Sequence, residues 1–247
     1  MFIVAVTRWG PGLDEQLPAL AQELGVFPYD LRMRLAGPLP VVVARVADSE
    51  AASKLMHALR ARGHGAVGCD ADKVPAAAAM HQPREFAFAG DQLTTEGDGQ
   101  RASVGADEVY ALIHAMVLGE HQITKEQTGK KFSASRAVLT GGMVMTTKTK
   151  TTTRITESTA EARVMVIRRS FAAPVLFRQH QLRYGGLGEA MGHSSHESFA
   201  ALVDRLRGFC PGAIYDDQLL RSRCKDDGGE FDLAAYLILI GHARGQI

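Results

Sequence analysis

The segment "HSSHE", residues 193–197, sets His193 and His196 three positions apart with Glu197 beside the second. On the first turn of a helix such a trio could offer two imidazoles and a carboxylate to a metal ion. Structural and catalytic zinc sites draw three or four ligands from spacings that repeat across their kind, and nothing nearby completes the set. The same five residues serve as the polar entry to a helix. His193, His196 and Glu197 are therefore the metal candidates of a chain for which no metal is expected.

Other groupings are weaker as chemistry. "YGGLGEAMG" (residues 184–192) holds Gly186, Gly188 and Gly192, an echo of a phosphate-cradling loop. No Gly-Lys-Ser or Gly-Lys-Thr follows it, and no strand-helix-strand unit surrounds it, so a turn is expected. Cys69, Cys210 and Cys224 lack a neighbouring histidine or helix N-terminus that would generate a thiolate; they are expected to be structural. The acidic pairs Asp216-Asp217 and Asp226-Asp227 fit helix caps and solvated turns. His114, inside an apolar run, fits a core or half-buried position. Trp9, the one tryptophan, could anchor a partner as aromatics do at binding hot spots. No catalytic residue and no cofactor follow from these residue types.

"MTTKTKTTTRITE" (residues 145–157) resembles a basic linker until its period is read. Met143, Met145 and Ile155 fall on odd positions; Lys148, Lys150 and Arg154 fall on even ones. A two-residue period in a threonine-rich run without Gly or Pro is that of a half-solvated strand. Cations on an exposed strand also discourage edge-to-edge association. The three cations are interaction candidates, and with Lys130, Lys131 and Arg136 they could grip nucleic acid or a lipid head group. The run lacks the interleaved aromatics of a single-strand binder.

The whole chain restricts these choices further. Its 247 residues are 46% hydrophobic and 22% charged, as in ordinary globular proteins, and long enough for a sizeable core. Its 28 Lys and Arg balance 27 Asp and Glu, so no global field attracts nucleic acid or an anionic membrane. Three widely spaced cysteines suit a reducing cytoplasm. The apolar run "LAAYLILIG" (Leu233 to Gly241) is about half the roughly 20 residues that cross a bilayer and reads as a buried helix.

Residues 1–74 punctuate themselves as β-α-α-β-α-β. "FIVAVTR" and "PVVVARV" are β-branched runs, and "GAVGCD" closes a third strand. Between them, Leu13, Leu17, Leu20, Ala21 and Leu24 mark a helix that Asp14 could cap, with regular turns expected from near Pro18. Leu31 and Leu35 mark a second helix, and Ala52, Leu55, Met56 and Leu59 a third behind Asp48 or Ser49. The order, together with "LPVVVARVADSEAASKLMHALRARGHGAVGC", resembles the C-terminal domain of the bacterial ribosomal stalk protein and its relatives among Clp-protease adaptors. In the stalk domain a lysine-bearing first helix docks translation factors. The matching helix here, "LDEQLPALAQELG", is acidic and lacks lysine. The resemblance thus implies the fold and an adaptor-like surface, not that partner.

"KVPAAAAMHQP" leads to a linker expected at 75–84. Beyond it, residues 85–247 show "EFAFAG", "QRASVG", "RVMVIRRS" and "PVLFRQHQLRYGG" as strand candidates, and "VYALIHAMVLG" is apolar enough for a strand or a buried helix. Ser194 to Glu197 then opens an amphipathic helix through Phe199, Leu202, Val203 and Leu206. Strands closed by such a helix are similar to the pleckstrin-homology-like half-barrel. The expected fold class is α+β: a small β-α-α-β-α-β module, then a mainly antiparallel β domain with C-terminal helices. The expected function is that of a non-enzymatic adaptor or structural-regulatory protein, whose partner is another protein or a second copy of itself. An anion-binding module on the Thr/Lys strand and a metal-dependent enzyme on the His-Ser-Ser-His-Glu cluster are the alternatives.

Overall fold

The computed structural model describes residues 1–132, 146–170, 172–222, 224–225 and 229–247, with side chains described outside 120–158. The chain is α+β and forms two compact units: Met1–Leu118 with Ala160–Ile247, and Gly119–Thr159. The smaller unit holds the remaining lengths of two strands, β7 (Val109–Phe132) and β8 (Thr146–Arg168). The alternation expected over residues 143–157 concerns side chains that lie outside those described.

In the larger unit, β1 (Phe2–Arg8), α1 (Leu13–Leu24), α2 (Pro28–Leu35), β2 (Val41–Val46), α3 (Ser49–Ala61) and β3 (Gly65–Asp70) follow in the order expected. The strands form an antiparallel sheet ordered β2-β1-β3. Val4, Val6, Val41, Val43 and Ala66 bury one face of it against Leu17, Leu20, Leu31, Leu35 and Leu59 of the three helices. Asp48 caps α3 as expected, its Oδ1 accepting the Ala51 N–H at 2.7 Å. Asp14 does not cap α1. The cap position is Gly12, whose φ of 70° suits glycine, and the helix starts at Leu13 with Pro18 inside it. Burial of Leu17, Leu20 and Ala21 holds the helix across the hydrogen bond that Pro18 removes.

Two further sheets follow. β4 (Glu85–Ala89), β5 (Gln92–Gly97) and β6 (Gln100–Gly105) form an antiparallel meander. The larger sheet runs β10-β7-β8-β9, with β9 (Val175–Arg178) antiparallel to β8, while β10 (Ile214–Asp216) and β11 (Cys224–Lys225) pair with β7 in parallel. The expected long strand from Pro174 is short: it ends at Arg178, and a 3-10 turn occupies Tyr184–Ala190. Helix α4 (Ser195–Phe209) packs Phe199, Leu202, Val203 and Leu206 onto the core shared by these sheets. A single helical turn, α5 (Leu219–Ser222), precedes α6 (Glu230–Ala243).

Helix α6 is apolar around its circumference because it is covered on more than one side. Its Leu237 packs with Ile3, Ala5, Val67 and Cys69 on the second face of the β2-β1-β3 sheet. Its Phe231, Ala235, Ile238 and Leu239 pack with Ile113, Met165, Ile167 and Leu176 of the larger sheet. After α6 the chain returns to β1, where the Thr7 hydroxyl donates to the Gln246 carbonyl at 2.7 Å. Among the described residues no helix is long and apolar enough to cross a membrane.

Candidate functional site

His193, His196 and Glu197 are all exposed, and their bonds are those of a helix start. The Ser194 hydroxyl accepts the Glu197 N–H at 3.1 Å, and Glu197 Oε2 reaches back to the His193 N–H at 2.8 Å. Glu197 is thereby engaged by backbone. Among the described residues no three His, Cys, Asp or Glu side chains converge on a metal position. Gly186 serves packing: a Cβ there would sit 1.9 Å from the Phe86 carbonyl oxygen. The three cysteines are buried free thiols, and burial raises the pKa of each, Cys210 to about 11, which opposes a nucleophilic thiolate.

Trp9 is half-buried and packs edge-on against the His64 ring, with centroids 5.6 Å apart. His64 Nδ1 accepts the Gly10 N–H at 2.9 Å, so Nε2 carries the proton of the neutral ring. His114 pairs with the Tyr215 hydroxyl at 3.0 Å and faces Phe199. Lys148, Lys150 and Arg154 belong to β8, and their side chains lie outside those described.

Two buried carboxylates sit in hydrogen-bonded clusters. Glu161 on β8 accepts from Arg163 Nε at 3.0 Å and from Arg178 on β9 at 2.9 Å, and it takes the His180 N–H through its other oxygen. Asp216, at the end of β10, holds His242 Nε2 at 2.7 Å and the Gln218 backbone N–H at 3.0 Å. Each cluster ties neighbouring elements together, as buried ions must when taken from water.

The feature the fold leaves unsatisfied is the outer face of α2. Pro28 stands in the first turn, where its missing N–H costs nothing. Leu31 and Leu35, one turn apart and almost fully buried, fix the helix to the core over β2. That anchoring sends Tyr29 and Met33, also one turn apart, to the other side. Phe27, Tyr29 and Met33 are 77%, 70% and 61% exposed. Single exposed apolar residues are ordinary at a protein surface; here Tyr29 and Met33 stand one turn apart on one eight-residue helix, with Phe27 exposed at its N-cap. Sequence reading had found the buried pair. The signal it passed over was that the opposite positions of the same helix are apolar too.

Beside α2 lies a cavity of about 660 Å³. Ile3, Val42, Leu233 and Leu237 contribute its apolar wall. Arg34 of α2 and Arg45 of β2 border it, both exposed. Arg32, by contrast, reaches Asp14 at 3.5 Å.

Comparison with known proteins adds no relative to this geometry: no family model, no curated protein and no solved structure matches the chain.

Proposed function

We propose that the chain is a non-enzymatic interaction protein, an adaptor or structural-regulatory element that binds another protein through the outer face of α2. The observation that carries the reading is the exposure of Tyr29 and Met33 on one short helix whose opposite side is locked into the core, with Phe27 exposed at its N-cap. Aromatic and methionine side chains are the residues that interface centres concentrate: a ring buries a large area for few rotors, and the pliable thioether fits irregular surfaces. Arg34, on the same helix, supplies a cation at the rim, where charge steers encounter and selects partners. The resemblance of residues 1–74 to stalk and Clp-adaptor domains fits such a role by fold analogy alone. Three buried free thiols fit a reducing compartment such as the cytoplasm.

The test is site-directed photocrosslinking of the full chain in native lysate. A benzophenone amino acid at position 29 should give a discrete covalent adduct, whereas the same group at Lys54, an exposed position on α3, should not. Irradiation of the purified chain alone separates a second copy from a foreign partner. Equal labelling at both positions, or none at position 29, contradicts the reading.

A further inference from the structure

We infer that the cavity beside α2 is a binding site for a small amphipathic carboxylate, an apolar body with one anionic head. Its volume, about 660 Å³, lies in the range of small-molecule sites. The wall is built from three elements. Ile3 comes from β1, Val42 from β2, and Leu233 and Leu237 from α6, and together they offer an apolar body a wall of aliphatic side chains.

Among the described residues two acids border the cavity, and one oxygen of each is held by backbone: Glu230 Oε2 takes the Lys225 N–H at 3.1 Å and Asp232 Oδ2 takes the Ala77 N–H at 2.8 Å. Two arginines border it as well, Arg34 and Arg45, and among the described residues neither guanidinium has an ion pair or hydrogen-bond partner. An incoming negative group can therefore pair with two uncommitted cations, while one oxygen of each acid is held by a backbone donor. Guanidinium suits a carboxylate because its planar fork can bond both oxygens.

Arg45 borders this space because of a local irregularity. In β2, Val42 pairs with Ala5 and Ala44 pairs with the preceding Val4, which leaves Val43 as an extra residue. Arg45 pairs with Ile3, so it shares a face with Val42 and Ile3, the face that lines the cavity. Without the bulge, strict alternation would put Val42 and Arg45 on opposite faces.

The experiment is calorimetric titration of the full chain with decanoate, with decanol and decyltrimethylammonium as head-group controls. Decanoate should bind at one site and raise the melting temperature. The Arg34→Ala/Arg45→Ala variant should weaken it at least about tenfold, the loss expected for charge-assisted bonds. The double Arg→Lys variant should retain part of the affinity. Both arginines are exposed, so the ligand-free variants should melt with wild type. A short apolar peptide with a free C-terminus, run in parallel, distinguishes a peptide carboxylate from a fatty one by which binds more tightly. The proposal is overturned if neither carboxylate binds, if decanol binds as well as decanoate, or if the alanine variant binds with wild-type affinity. The Tyr29 crosslink does not depend on the outcome, so the two proposals fail separately.

Discussion

Val42 and Arg45, three residues apart on β2, point to the same face of the sheet, because Val43 has no partner on β1. A strand normally separates residues at this spacing, and it is the bulging of Val43 out of the ladder that keeps both on the cavity side.

Deleting Val43 should restore a regular ladder with Val41, Val42, Ala44 and Arg45 on their present faces, since Val42 and Ala44 already pair with the adjacent Ala5 and Val4. Its cost is the loss of one side chain buried in the core. Val43→Ala should therefore lower the denaturant midpoint about as far as the deletion does. A deletion that melts far below Val43→Ala would mean that the bulge itself, and not only the side chain, holds the sheet.

Glu161 stands between two arginines, one almost fully buried. Glu161→Ala should cost about 3–5 kcal/mol, the scale on which a buried charge loses its partner. Exchanging an exposed pair such as Glu50 and Lys54 for alanines should change stability by less than about 1 kcal/mol. Urea midpoints of the two variants give the comparison.

Burial holds His64, His81 and His114 below the ordinary value of 6.5, with the Arg62 charge adding to the effect at His64. Below 6.5 the unfolded chain takes up protons that the folded chain refuses. Stability from these histidines is therefore full above 6.5 and is lost as pH falls through the folded values. Midpoints measured at about pH 7.5 and 5.5 should fall on acidification, and His114→Phe should reduce the fall. A midpoint that rises on acidification would contradict the burial account.

Leu237 joins the first sheet to the rest of the larger unit, and Leu237→Ala should cost about 2–5 kcal/mol. The isolated fragment 1–74 keeps every strand and helix of that sheet but uncovers Ile3, Ala5, Val67 and Cys69. It should melt cooperatively at a lower temperature than the full chain. A melt without a cooperative transition would place the end of the module beyond Val74.

The β-α-α-β-α-β order was legible because local signals repeat the tertiary arrangement: Gly25 and Gly37 end helices, Asp48 caps one, and apolar periods mark their buried sides. β5 was not read, since "QLTTEG" is polar at its exposed positions and shows only Leu93 and Thr95 to the core. β10 and β11 are two or three residues long and exist by pairing with distant β7. Residues 75–84 contain a 3-10 turn at Ala77–Ala79, with a bridge from His81 to Val175, contacts that no local pattern announces. The candidate site was the least legible part. That Tyr29 and Met33 stay exposed, and that Arg34 and Arg45 find no acid among the described residues, depends on the tertiary arrangement and not on local pattern.

The central claim is that α2 meets another protein through Tyr29 and Met33. It is tested most directly by the apparent mass of the chain in native lysate, compared for wild type and the Tyr29→Glu/Met33→Glu variant. Wild type should elute above its monomer mass and the variant at it, with both sharing one denaturant midpoint because the two side chains are exposed. Co-elution of wild type and variant at the same mass would contradict the account.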